Sequence, residues 1–160
     1  MKVLMFSSDP SAEGRMRKYG EALEKLEIVY FDRAHGRFAR FWKGYSEAKR
    51  ILKQEKFDLI TAQEIEHSFL AWRLSKKFGI PWQMQIHTDI FSPYFVLHSV
   101  LNRVRVWLAK FLIPQASCTR VVSQRIKDSL TWRLNRQVAV LPIFSDLRSS
   151  TSNFNIREKY

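Results

Sequence analysis

One cysteine, five glycines and five prolines among 160 residues leave little room for several kinds of protein. A lone Cys118 excludes an intramolecular disulfide and points to a reducing compartment. There is no internal repeat. Long hydrophobic runs are also missing. The opening Met1-Lys-Val-Leu-Met-Phe-Ser-Ser-Asp9 is too short in its apolar part for a signal peptide, and no stretch reaches membrane-spanning length. A cytoplasmic protein is the expectation. Acidic residues are scarce as well: 15 Asp and Glu stand against 27 Lys and Arg, a net charge of +12. Such an excess attracts polyanions, whether nucleic acid, anionic lipid or phosphorylated substrates.

Familiar cofactor motifs are missing too. The dinucleotide fingerprint needs three spaced glycines after the first strand, and only Gly14 is there. There is no Gly-Lys-Ser/Thr of a P-loop and no Gly-x-Ser-x-Gly elbow. The four histidines (His35, His67, His87, His98) lack metal-ligand spacing, so neither a metal nor another cofactor is expected. A receiver-type aspartate would end the third strand, whereas Asp58 stands at its start.

What is present is an alternation of strand-like and helix-like segments. Strands are expected at Lys2–Ser7, Glu27–Phe31, Phe57–Ala62, the run before His87, Ser117–Val122 and Val138–Leu141. Helices fall between them: one from Gly14 through Met16, Tyr19, Leu23 and Leu26, one through Ala48, Ile51 and Leu52, one over Phe69–Phe78, one from about Tyr94 to Leu112, and one over Gln124–Leu134. Six strands joined by helical crossovers make a doubly wound, Rossmann-like, mostly parallel α/β sheet. The pattern ends soon after Pro142. Residues 1–147 read as one domain and 148–160 as a polar linker toward a second, absent one.

In such a sheet ligands gather at the carboxyl ends of the strands. The first of these loops carries Ser8, Asp9, Glu13, Gly14 and Arg15, where a glycine before a helix lets backbone amides approach a phosphate. An ordinary βα turn explains the same residues. The third strand delivers Gln63 and Glu64. The fourth delivers His87 and Asp89 in Ile86-His-Thr-Asp-Ile-Phe-Ser-Pro93. Histidine titrates near neutrality, and a carboxylate two residues on can orient it. Helix capping or a loop hydrogen bond is the plainer role for His87.

Two stretches mix cations with apolar groups. Arg33–Tyr45 interleaves Arg37, Arg40 and Lys43 with Phe38, Phe41 and Trp42. Farther on, Leu97, Val100, Leu101, Val104, Leu108 and Phe111 form a helical stripe flanked by Arg103, Arg105 and Lys110. From Ile90 to Gln137 eight Lys and Arg face one acid, Asp128. The helix alone suits packing on the sheet. Taken with Arg33–Tyr45, the pattern suits an anionic membrane surface or another polyanion.

The order of these pieces resembles the amino-terminal domain of retaining GT-B glycosyltransferases of the family 4 type. The resemblance rests on the Glu13-Gly14 loop, Lys56-Phe-Asp-Leu-Ile60, Phe78-Gly-Ile-Pro81 leading to Gln85-Ile-His87, Arg120-Val-Val-Ser123 and Val138-Ala-Val-Leu-Pro142. It implies an acceptor-binding half of a glycosyltransferase, inactive alone, with the nucleotide-sugar bound mainly by a second domain or partner subunit. His87 would then stand near the acceptor hydroxyl, with Asp89 as its companion. Glu13, Gly14 and Arg15 would face the donor diphosphate, and Ser8, Asp9, Gln63 and Glu64 the acceptor. The acceptor would be a sugar, lipid-linked or phosphorylated, reached at the inner membrane face. Three departures stand out: a single glycine in the first loop, Ile143-Phe144 where Asn-Gly is common, and no donor domain with paired glutamates. The chain therefore reads as a piece of a longer enzyme or one subunit of a split one. The competing reading is a stand-alone basic module that binds nucleic acid.

Overall fold

The structure, a computed structural model, describes residues 1–8, 14, 18, 20–31, 36–131 and 138–142. Asp9, Glu13, Arg15 and the linker at 148–160 lie outside the described residues, as does the side chain of Arg37.

The described elements run β1 (Lys2–Ser7), β2 (Lys25–Tyr30), α1 (Arg37–Gln54), β3 (Leu59–Gln63), α2 (Ile65–Phe78), β4 (Trp82–Ile86), α3 (Pro93–His98), α4 (Val100–Leu112), a 3-10 turn at Ile113–Gln115, β5 (Cys118–Val121), α5 (Gln124–Thr131) and β6 (Val138–Val140). The strands form one sheet in the order β2-β1-β3-β4-β5-β6, and every pairing is parallel. The doubly wound α/β expectation holds. Chain direction across the sheet reverses between β1 and β3, so a crevice opens there at the carboxyl edge.

Side-chain alternation explains the core. Leu4, Phe6, Ile60, Ala62, Trp82, Met84 and Ile86 share one face and are buried under Ala48 and Leu52 of α1, Ala71 and Leu74 of α2, and Ala109 and Leu112 of α4. The opposite face of β1, β3 and β4 is polar toward its carboxyl ends. Thr61 Oγ1 donates to Gln83 Oε1 (3.1 Å) and accepts from Gln85 Nε2 (2.7 Å).

Strands β2 and β3 shift by a residue or two from the expected Glu27–Phe31 and Phe57–Ala62, and three helix boundaries differ more. Leu26 lies in β2 opposite Val3, and the chain turns at Gly20–Leu23, so the helical run from Gly14 does not reach it. Pairing of β2 along the whole of β1 outweighs the local 3.6-residue spacing. The helix expected from Phe69 begins at Ile65, because Glu64 serves as its N-cap. The long helix after His87 is two helices. Ser99 is extended (φ −162°, ψ 157°) and its Oγ accepts from Asn102 N at 3.1 Å, which starts α4 afresh. Asn102, buried, donates from Nδ2 to Phe95 O (2.8 Å) and ties the two helices together.

Candidate active site

The carboxyl ends of β1, β3 and β4 surround a cavity of about 440 Å³. Ser8 follows β1, Gln63 and Glu64 end β3, and His87 and Thr88 follow β4; all five line it. Four residues expected from the strand-end rule are thus brought together: Ser8, Gln63, Glu64 and His87. The rest of the wall is apolar (Ile65, Met84, Ile86, Ile90, Phe95), with Gln85, Glu66 and Arg105.

Glu64 is the residue most constrained by its place. At φ 64° and ψ 157° it is the one non-glycine with positive φ among the described residues. A conformation nearly confined to glycine costs about 1–3 kcal/mol and persists where surrounding structure enforces it. Here the enforcement is local: Glu64 O accepts from Ser68 N (3.1 Å) and from Ser68 Oγ (2.7 Å) as α2 begins. The side chain then turns to the cavity, where Glu64 Oε1 accepts from Ser8 Oγ at 2.9 Å. The loops after β1 and β3 are joined by that bond.

Beneath Glu64 lies His67, almost completely buried. Its ring sits 4.2 Å from Phe31 and 5.7 Å from Phe41, and Nδ1 is 3.0 Å from Gln63 O. A carbonyl only accepts, so Nδ1 carries the proton and donates. Burial pushes the imidazole pKa down from its ordinary 6.5, against the pull of the Glu64 carboxylate 3.6 Å away and of Glu66; Arg40 adds to the lowering. His67 is therefore a neutral supporting group under the site. Sequence spacing gave no sign of it.

His87 is exposed at the rim, and Asp89 is half-buried. The Asp89 carboxylate faces α5, with Oδ2 3.5 Å from Arg125 Nε and Oδ1 buried without a hydrogen-bond partner. Among the described residues the lining passes from Thr88 to Ile90. Gly14 is exposed, and a Cβ there would meet nothing within 4 Å, so packing among the described residues does not demand a glycine.

The cations divide differently from the sequence grouping. Arg103 and Lys110 are exposed, as are Trp42 and Lys43. Arg40 is half-buried with its guanidinium 5.2 Å from the Phe41 ring. Arg105 bends into the cavity wall: Nη2 is 2.6 Å and Nε 2.7 Å from Glu66 Oε1, and Nη1 donates to Asn102 Oδ1 at 3.0 Å. Part of the apolar stripe reaches the core: Leu108 packs against it and Phe111 meets the Trp72 ring edge-on at 5.1 Å, whereas Leu97, Val100, Leu101 and Val104 are exposed. Tyr94 is 87% exposed, Leu97 71%, Val100 75% and Trp107 70%, while α4 buries Asn102, Val106, Ala109 and Leu112 instead. Glu66 and Arg105 were not expected at the site. Only their partnership across 39 residues reveals them, and no local pattern encodes it.

No group of three or more metal-ligating side chains clusters among the described residues. No described helix is long and apolar enough to cross a membrane.

Over residues 2–143 the chain matches the model of the glycosyl transferase 4-like domain. No curated protein matches it in sequence. Sucrose-phosphate synthase from Thermosynechococcus elongatus is similar in structure, with a TM-score of 0.68 at 14% identity over 91% of this chain and 91% of that one. Anabaena HepE, solved with UDP-glucose, gives 0.54 at 18% identity, over 92% of this chain and 45% of its own. The lipopolysaccharide outer core galactosyltransferase WaaB gives 0.58 at 13% identity, over 93% and 47%. These likenesses are of fold, and the chain spans a little under half the length of HepE and of WaaB.

Proposed function

We propose, from the premise that this chain belongs to the glycosyl transferase 4-like domain family, that it is the acceptor-binding half of a glycosyltransferase. The observation that carries the reading is the convergence of Ser8, Gln63, Glu64 and His87 on one cavity at the switch point of the sheet. The donor is a nucleotide-sugar, held mainly by a second domain or a partner subunit beyond a linker at 148–160. HepE, similar in fold, was solved with UDP-glucose, which supports that class of donor.

In this reading the acceptor sits between the β1, β3 and β4 loops. Glu64 and Gln63 hydrogen-bond its hydroxyls, and Glu64 is itself held by Ser8. His87 approaches the reacting hydroxyl from the β4 end, where its imidazole stabilises the proton and charge that move in the transition state. Asp89 acts through the loop: its pairing with Arg125 fixes the His87–Ile90 segment against α5. The donor diphosphate is assigned to Glu13, Gly14 and Arg15 on the family resemblance alone. The basic residues place the domain on the inner face of an anionic membrane as a peripheral, cytoplasmic protein.

The experiment restores a donor domain, fused or as a separate subunit, and measures sugar transfer and melting temperature on the same preparations. His87→Ala lowers turnover roughly 100-fold or more, the scale of losing a positioned polar group at the reacting centre. Asp89→Asn lowers it less. A large melting loss with normal turnover per folded molecule returns His87 to a structural role.

A further inference from the structure

The charged groups of the cavity run against the charge of the chain. The protein carries +12, yet among the described lining residues Glu64 and Glu66 stand against a single permanent cation, Arg105. That cation is already matched. Its Nε and Nη2 both meet Glu66 Oε1, at 2.7 and 2.6 Å, and Nη1 donates to Asn102 Oδ1 at 3.0 Å. Glu64 has no such partner. Ser8 Oγ gives it one neutral hydrogen bond, while His67, 3.6 Å away, donates its Nδ1 proton to Gln63 O and is kept neutral by burial. The fixed charge of the described lining is therefore net negative, and the excess belongs to Glu64.

A second feature points the same way. Gln85 is 5% exposed and lines the cavity. Thr61 Oγ1 has one proton, which goes to Gln83 Oε1 (3.1 Å), so toward Gln85 it only accepts, and Gln85 Nε2 donates to it at 2.7 Å. That fixes the amide and leaves Gln85 Oε1 buried with no hydrogen-bond partner. A buried carbonyl oxygen without a donor costs stability, and folded proteins keep few of them.

From these two features we infer that the cavity reads its acceptor as a hydrogen-bond donor: an uncharged sugar whose hydroxyls meet the Glu64 carboxylate and Gln85 Oε1, not one bearing phosphate or carboxylate at that part. This rests on the glycosyltransferase reading of the site and names its acceptor class, setting aside the phosphorylated sugar that the sequence left open. Range decides between the two charges. Surface cations act through water and salt, screened over about 8–10 Å at physiological ionic strength. A phosphate in the cavity would lie beside Glu64 at contact range. The apolar wall of Ile65, Met84, Ile86 and Phe95 makes those surroundings less polar than water, so like charges repel more strongly there. Arg105 would offset this only by giving up Glu66, which leaves a second carboxylate uncompensated. A hydroxyl meets neither cost, and it supplies the donor that Gln85 Oε1 lacks.

The test uses the full 160-residue chain and the two-domain enzyme. Methyl glucoside, methyl galactoside and methyl mannoside are the neutral probes, and the matching sugar phosphates and uronic acids are the anionic ones. In heteronuclear NMR of the chain, neutral glycosides shift the Gln85 side-chain amide signals, and the anionic probes do so only at concentrations about tenfold higher or more. In the two-domain enzyme a mixed pool of probes, its products read by mass, shows the same preference. Glu64→Gln removes the charge and keeps an oxygen for Ser8. It narrows the preference about tenfold by admitting the anionic probes, a gain that misfolding cannot imitate. Glu66→Gln, which releases Arg105, acts in the same direction. Gln85→Met raises KM for the neutral acceptors about tenfold with kcat little changed, the mark of a contact made equally before and during transfer. Preferential transfer to the anionic probes overturns the inference, as does a neutral preference that neither Glu64→Gln nor Glu66→Gln alters. Gln85 signals that no neutral glycoside moves overturn it as well. Neutral glycosides that bind the chain but are transferred from no nucleotide-sugar by the two-domain enzyme instead sink the glycosyltransferase reading and leave the selectivity of the cavity in place.

Discussion

At the scale of single residues, the site is built on a strained backbone at Glu64 and a buried imidazole at His67 that opposes folding only at low pH. Glu64 keeps a positive φ that glycine would hold without strain. Glu64→Gly should therefore leave the domain as stable or more so, by up to about 1 kcal/mol, while removing the carboxylate that meets Ser8 and lines the cavity. Chemical denaturation checks the first part, and transfer kinetics in the two-domain enzyme check the second. His67 has its pKa lowered by burial. In the pH window below 6.5 the unfolded chain takes up a proton that the folded chain refuses, so unfolding is favoured as pH falls through that range. Above 6.5 both states hold the ring neutral and the effect vanishes. Glu55 works in a lower window: hydrogen bonds from Lys25 and Lys2 hold its carboxyl below the ordinary 4.5, and that stabilisation is lost only as pH drops through the lowered value. His67→Phe keeps the ring between Phe31 and Phe41 but forgoes the bond to Gln63 O, at a cost of about 1 kcal/mol at pH 8. Its unfolding free energy should fall less between pH 7 and 5 than the parent's; equal slopes would show that His67 is not the titrating group.

At the scale of elements, the strands were legible in the sequence because each is a short apolar run placed before a turn. The placement of His87 after β4, of Gln63 at the end of β3 and of Glu64 just past it followed from the strand ends alone. What misled was periodicity on α3 and α4. An apolar stripe at helical spacing marks a covered face, but it does not say whether the cover is the protein's own sheet. On α4 the buried positions are Asn102, Val106, Ala109 and Leu112, with Leu108 packed against the core, while Val100, Leu101, Val104 and Trp107 are exposed. The break at Ser99 had a signal, a serine at a cap position, that the continuous stripe obscured. Ser99→Ala should cost about 1 kcal/mol by leaving Asn102 N without its cap. A second element-level test lies in α1. Gly44 is buried against the Phe31 ring, and a Cβ there would overlap ring atoms. Gly44→Ala should destabilise by about 1–3 kcal/mol as Phe31 shifts against His67 and Phe6. A neutral result would mean that α1 can slide away from β2.

At the scale of the whole molecule, the chain carries a complete hydrophobic core but an open site. Its buried residues link all the central strands to α1, α2 and α4, so the 160-residue polypeptide should fold by itself in one cooperative transition. Transfer is another matter. The cavity of about 440 Å³ is bounded by the ends of β1, β3 and β4 and by α3 and α4, with the other side open to solvent among the described residues. A sugar transfer needs donor pyrophosphate, sugar and acceptor hydroxyl fixed together, and most of the gain from bringing them together requires both substrates to be held. In the proposed reading the nucleotide is held mainly by a second domain or partner subunit. The purified 160-residue chain should therefore bind a hydroxylated acceptor weakly and show no turnover with nucleotide-sugars. Adding a donor domain in trans should restore transfer with a rate that saturates in domain concentration, because the two halves then assemble the cleft between them. Turnover by the purified chain without any partner would sink the two-domain reading. Saturation in trans with His87→Ala inactive would place the chemistry in this half of the cleft.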